Sequence, residues 1–215
     1  MNKIQQIEAA IAAAEQEQSA LSPEVLGLEG MNSAKVRHLL NNLGAISTKH
    51  FEIGSWHGSS FCSTMFRNDT LQGVAVDNFS EFDQDGIAQK AFLSNAKALI
   101  PEDRWELIVD ECFRMKSLDF PPTGLFVPDL YVYDGGHSEE NQRMAVAHFF
   151  PMMADSFVFV VDDFGSEGSD WGHVQKATRE GLELVKSEYE VLKEWVLTAE
   201  AGYWNGLGIF LIKRK

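Results

Sequence analysis

The order of its apolar runs constrains this chain more than any other feature. Five strand-like segments alternate with helical ones, and two further strand-like segments then stand side by side with no helix between them. The first five run from His50 to Gly54, Gly73 to Asp77, Trp105 to Val109, Asp129 to Asp134 and Phe157 to Val161. The last of these is wholly apolar and suits a strand buried on both faces. Helical spacing falls between them: on Phe61, Cys62, Met65 and Phe66; over roughly Gln84 to Leu99; from behind Ser138 to about Phe150; and on Val174, Ala177, Thr178, Gly181, Leu182 and Val185. Ser138 stands where an N-cap belongs. Two more helices precede the first strand, one on Ile4, Ile7 and Ile11, the other on Val36, Leu39, Leu40 and Leu43 with Gly44 as its stop.

A helix between consecutive strands makes them parallel, because the crossover must return to the same end of the sheet. The pattern therefore predicts an α/β fold with a doubly wound, mostly parallel sheet and helices on both faces. Glu190 to Thr198 and Leu207 to Lys213 flank a short loop with Asn205-Gly206, which predicts a closing antiparallel hairpin. A chain of 215 residues suits one such domain.

The formal net charge of -14 repels polyanions and argues against a nucleic-acid partner. Cys62 and Cys112 are far apart and lack ligand spacing, so neither a disulfide framework nor a zinc site is expected, and a reducing cytoplasmic setting is the default. No cationic-then-apolar leader and no run of membrane-spanning length occurs, so no membrane partner is expected.

Open parallel sheets bind ligands beyond the carboxyl ends of their strands. At the first exit stands Glu52-Ile-Gly54-Ser55-Trp-His-Gly58-Ser59-Ser60. Its glycines let the backbone pass close to a ligand, amides at the following helix start can hold a carboxylate, and Ser60 can add a hydroxyl. The spacing is looser than that of nicotinamide-binding turns. An acidic residue before the first glycine suits a cation better than a pyrophosphate, and S-adenosylmethionine is such a cation. Asp77, followed by Asn78, closes the second strand where a carboxylate can accept from ribose hydroxyls. The third exit offers Asp110, Glu111 and Cys112 for an adenine edge.

Phe51 to Ser60, the segment Tyr133-Asp134-Gly135-Gly-His137-Ser138 and the paired acids of Val161-Asp162-Asp163-Phe164 together resemble class I S-adenosylmethionine-dependent methyltransferases, from about Gly30 onward. The likeness is to the small metal-dependent O-methyltransferases of the catechol and antibiotic-sugar type. It implies a seven-stranded Rossmann-like sheet of order 3-2-1-4-5-7-6 with the last strand antiparallel. It also implies N-terminal helices over residues 1–48 that cap the acceptor side, and a single cofactor-binding unit over 49–215.

In that order the fourth and fifth strands are neighbours, about 4.8 Å apart, so Asp134, Asp162 and Asp163 can converge. Three close carboxylates repel one another unless a cation sits among them, and magnesium or another divalent cation is expected there, with Asp134 also beside the cofactor together with Gly135. The resemblance implies an acceptor that chelates the metal through two oxygens. His137 is the candidate general base; its alternative is a capping or packing role. Asp162 and Asp163 have an alternative as loop acids that cap the next helix. Trp56, Phe79, Phe82, Trp171, Tyr203 and Trp204 are candidate walls of the acceptor pocket. The expected partner is a small hydroxylated molecule, with a homodimer as a further expectation. Two other functions fit the same residues: a metal-dependent hydroxylase or hydrolase, and a non-catalytic nucleoside-binding protein.

Overall fold

The computed structural model describes residues 1–83, 86–120, 124–166 and 168–215. It has two compact units, Met1–Cys112 and Phe113–Lys215.

In the first unit, α1 (Lys3–Glu15) starts at a capping box between Asn2 and Gln5, α2 (Pro23–Leu26) at Ser22, and α3 (Ala34–Gly44) at Ser33. Each cap side chain accepts a hydrogen bond from an amide the helix itself leaves unpaired. There follow β1 (Lys49–Ile53), α4 (Ser59–Met65), β2 (Gln72–Val76), α5 (Ala88–Leu99) and β3 (Trp105–Ile108). The strands are parallel, with Phe51 opposite Val74 and Val74 opposite Glu106. Phe61, Cys62, Met65, Ala75, Phe92 and Trp105 pack into one buried cluster. Asn41 ties α3 to α4 by donating to the carbonyls of Ser63 and Phe66 at 2.8 and 2.9 Å. Helix α5 starts at Ala88, later than the sequence spacing suggests, because Asp83 Oδ1 accepts from the amides of Ile87 and Ala88 at 2.6 and 2.9 Å. The expected start at Gln84 lies outside the described residues.

The second unit holds β4 (Asp119–Phe120), β5 (Gly124–Leu125), β6 (Leu130–Tyr133), α6 (Glu139–Phe149), β7 (Ser156–Val161), α7 (Gly172–Leu184), β8 (Tyr189–Leu197) and β9 (Leu207–Arg214). Among the described residues, strands β4 and β5 pair only with each other. Strand β6 runs parallel to β7, whereas β9 lies antiparallel to both β7 and β8. All of β7 after Ser156 is buried, as its apolar composition requires. Helices α6 and α7 approach closely at Gly181, where an added Cβ would stand 3.1 Å from Val146. The seven long strands follow the order β3-β2-β1-β6-β7-β9-β8, which is 3-2-1-4-5-7-6 when β4 and β5 are left out of the count.

Candidate functional site

The turn after β1 is built by two left-handed glycines, Gly54 and Gly58, each at φ 80°. Its anchor is Asp77 at the end of β2. Asp77 Oδ2 accepts from the amides of Ser55 and Trp56 at 2.9 and 2.8 Å, and Oδ1 accepts from Phe79 at 2.7 Å. One carboxylate thus satisfies three loop amides and pins the glycine turn to the second strand. The Ser55 hydroxyl is buried without a hydrogen-bond partner among the described residues. Such an orphaned polar atom beside a glycine turn fits a site made for a ligand.

Glu52 is fully buried. Ser60 donates to its Oε1 at 2.8 Å, and His50 Nε2 lies 3.2 Å from its Oε2. His50 and Glu52 alternate along β1 and so share a face. Both oxygens of Glu52 are thus engaged inside the protein, where the sequence reading has them facing a cation. Burial and the Glu52 charge together push the Cys62 thiol far up, which makes it an inert core residue. Ser59 accepts from Asn32 at 3.2 Å. At the outer exits, Asn78 donates to Glu111 at 3.0 Å, the Glu111 amide to Asp110 at 2.7 Å, and Cys112 Sγ lies 3.9 Å from Glu111. The ends of β2 and β3 are therefore linked by the residues expected there.

In the second unit, Asp134 and Gly135 follow β6 and the Asp162-Asp163 pair follows β7. His137 Nε2 stands 3.2 Å from Asp163 Oδ2 and 3.7 Å from Asp134 Oδ1, and is buried with no hydrogen bond among the described residues. Asn205 donates to Asp163 Oδ1 at 2.8 Å. Asp163 itself is held at φ 53°, a left-handed conformation that is costly for a residue with a side chain. Asp162 is buried, its Oδ1 has no hydrogen-bond partner among the described residues, and its carboxyl is pushed well up by burial first and then by the charges of Asp134 and Asp163. Ser138 caps α6 by accepting from Asn141 at 3.1 Å, so the cap does not depend on the His137 ring. That ring meets the edge of Trp171 at 5.0 Å, and the His137 backbone carbonyl accepts from His173 Nε2 at 3.0 Å.

The aromatic candidates divide. Trp56, Phe79, Phe82 and Trp204 all adopt positive φ, and Phe82 and Trp204 are exposed. Tyr203 is fully buried and is a core residue. Three contributors escaped the sequence reading: His50, whose signal was its two-residue spacing from Glu52; Asn205, which read only as a turn residue; and Asn32, for which no local signal exists. Among the described residues no group of three or more His, Cys, Asp or Glu side chains is gathered in a form that could hold a metal ion. No helix of the described residues is long and apolar enough to cross a membrane.

A family described as Methyltransferase domain matches residues 51–164, more than half of the chain. No curated protein matches it. Among solved structures, the chain is similar to the methyltransferase PaMTH1 of Podospora anserina, solved with bound SAH, at 13% identity and a TM-score of 0.64, covering 100% of this chain and 97% of that one. It is also similar to cofactor-bound Rv0187 from MTB, at 19% identity and a TM-score of 0.59 over 96% and 89% of the two chains. An O-methyltransferase from Bacillus cereus in complex with SAH gives 16% identity and a TM-score of 0.56 over 99% and 93%. These likenesses establish the fold. Together with the family match over the glycine turn, Asp77 and the Asp134 to Asp163 segments, they place the chain in the methyltransferase-domain family, as a class I S-adenosylmethionine-dependent methyltransferase.

Proposed function

We propose that the protein methylates a hydroxyl oxygen of a small molecule, with a divalent cation assisting. The observation that carries this reading is the placement of His137 Nε2 against both Asp134 and Asp163. A histidine beside two carboxylates is stabilised once protonated, as a general base for a hydroxyl requires. Solved relatives of the fold that are named O-methyltransferases, from Bacillus cereus and Streptomyces achromogenes, support it.

S-adenosylmethionine, when bound, supplies a methyl group on a sulfonium, which departs as the neutral thioether once the C–S bond breaks. On this reading Gly54, Ser55, Gly58, Ser59 and Ser60 line its amino-acid end, Asp77 and Asn78 its ribose, and Asp110, Glu111 and Cys112 its adenine. Glu52 braces the turn from inside through Ser60. The His137 ring accepts the proton of the acceptor hydroxyl, and the oxygen lone pair so released forms the new O–C bond. The resulting imidazolium faces Asp134 and Asp163, while Asn205 holds Asp163 in place.

The donor set bears on the cation. Asp134, Asp162 and Asp163 carry hard oxygens of the kind magnesium takes, though their side chains as they stand are not gathered around a metal site, and Asp162 Oδ1 is buried without a hydrogen-bond partner among the described residues. A divalent cation, when bound, supplies positive charge that acidifies the acceptor hydroxyl.

Thermal denaturation with S-adenosylhomocysteine, with and without magnesium, tests the reading on wild type and Asp77→Ala. Saturating product raises the wild-type melting temperature, because it binds only the folded state. Magnesium adds a further rise that Asp162→Asn loses. Methyl transfer to a panel of small phenols, catechols and sugar alcohols, followed as S-adenosylhomocysteine release, then separates oxygen acceptors from others. A wild type indifferent to the product overturns the reading.

A further inference from the structure

Arg37 on α3 is 4% exposed, and burial lowers the pKa of its guanidinium; among the described residues it makes no salt bridge to a carboxylate. Buried guanidinium groups ordinarily face an acid. Arg37 instead donates through Nη1 to the carbonyls of Leu26 and Leu28 at 2.9 and 2.8 Å, and more weakly to that of Val25. Its Nε donates to Asn32 Oδ1 at 2.5 Å. These bonds fix the plane of the group. They leave Nη2 with no hydrogen bond among the described residues.

Gly30 shows where that edge lies. A Cβ built on Gly30 would stand 3.0 Å from Arg37 Nη2 and would overlap the Ser59 side chain. The guanidinium edge, the Ser59 hydroxyl and the bare α-carbon of Gly30 therefore gather at one place, and Asn32 links the first two by bonding to both. Ser59 belongs to the glycine turn that the proposed function assigns to the amino-acid end of S-adenosylmethionine. Two turn amides that could otherwise receive an anion there, those of Ser55 and Trp56, are already taken by Asp77. A carboxylate arriving at the turn must find its countercharge elsewhere.

We infer that Arg37, through its Nη2 edge and beside Ser59, binds the carboxylate of the methionine portion of the cofactor. The inference rests on the cofactor reading above and adds a residue outside the matched segment 51–164. Residues 28–33 then serve to hold a preset cation against the turn. A charge-assisted hydrogen bond formed in this way does not require the arginine to reorganise, since four acceptors already fix it.

The test compares S-adenosylmethionine with decarboxylated S-adenosylmethionine, which keeps the sulfonium, nucleoside and amine but lacks the carboxylate, by calorimetric titration. Wild type favours the intact cofactor. In Arg37→Gln its affinity falls roughly 10- to 100-fold, while that of the decarboxylated probe changes less than about twofold. Arg37→Lys, which retains a cation but not the planar edge, loses part of the preference; it serves alone if circular dichroism finds Arg37→Gln unfolded. Parallel losses for the two ligands mean that Arg37 only braces α2, and an unchanged preference means that it does not touch the carboxylate; each overturns the inference and leaves the cofactor reading standing. A wild type that binds neither ligand overturns both.

Discussion

His137 Nε2 lies 3.2 Å from Asp163 Oδ2, and in the proposed function this ring takes the proton of the methyl acceptor. Replacing His137 by Gln keeps the size and polarity of the side chain and removes the base. Methyl transfer in single turnovers is expected to slow by about 10²- to 10⁴-fold, with S-adenosylhomocysteine affinity within about twofold of wild type. A variant that transfers at the wild-type rate removes His137 from the chemistry.

Asp162 makes stability depend on pH. Its folded pKa is raised by burial and by the charges of Asp134 and Asp163, so the folded state holds the proton longer than the unfolded chain does. Its contribution is most favourable below the ordinary aspartate range and is lost as pH climbs through the raised folded value. Without divalent cations, Asp162→Asn should therefore melt above wild type at pH 8, and the gap should close toward pH 4. Melting curves across that range decide the matter; a wild type more stable than the variant at pH 8 contradicts the assignment.

Asp77 gathers three loop amides, and Asn offers them one acceptor and a repelling NH2. Asp77→Asn should cost about 1–3 kcal/mol in urea unfolding. Product binding should weaken at the same time, because the glycine turn loses its anchor. Unaltered unfolding would show that the loop finds other acceptors.

Gly58 combines φ 80° with a neighbour that leaves no room, since a Cβ there would stand 2.8 Å from Phe92. Gly58→Ala is expected to destabilise by about 1–3 kcal/mol, through both backbone strain and displacement of the Phe92 ring. Comparison with Gly86→Ala isolates the packing share, because Gly86 has a similar φ of 65° and open space around it.

How much of this was legible in the amino-acid order depends on the range of the interaction. The alternation of runs foretold a mostly parallel sheet and the terminal hairpin, because periodicity and crossover handedness are local rules, whereas the strand order came from the family resemblance. Ser138 as a cap was equally local. The pair β4 and β5 was not foreseen, since two-residue strands have no period to detect. Strand exits located Asp77, Asp134, Asp162 and Asp163, but not what each side chain would touch. Glu52 bonded to His50 and Ser60, Asn205 holding Asp163 and Arg37 reaching over Gly30 are pairings of side chains in three dimensions, the last two between residues remote in sequence or set by loop geometry that no hydrophobic pattern encodes.

The irregularity between Val191 and Lys193 bears on what the protein avoids. Strand β8 is the last of its sheet and carries the exposed apolar residues Val191, Leu192 and Val196. An unbroken border of that kind invites another chain to add itself as a further strand. The bulge, with Lys193 beside it, throws the donors and acceptors out of step, so an incoming strand would have to straighten the border and desolvate a cation before it could pair. Self-templated polymerisation along this side is thereby discouraged while the apolar side chains stay at the surface.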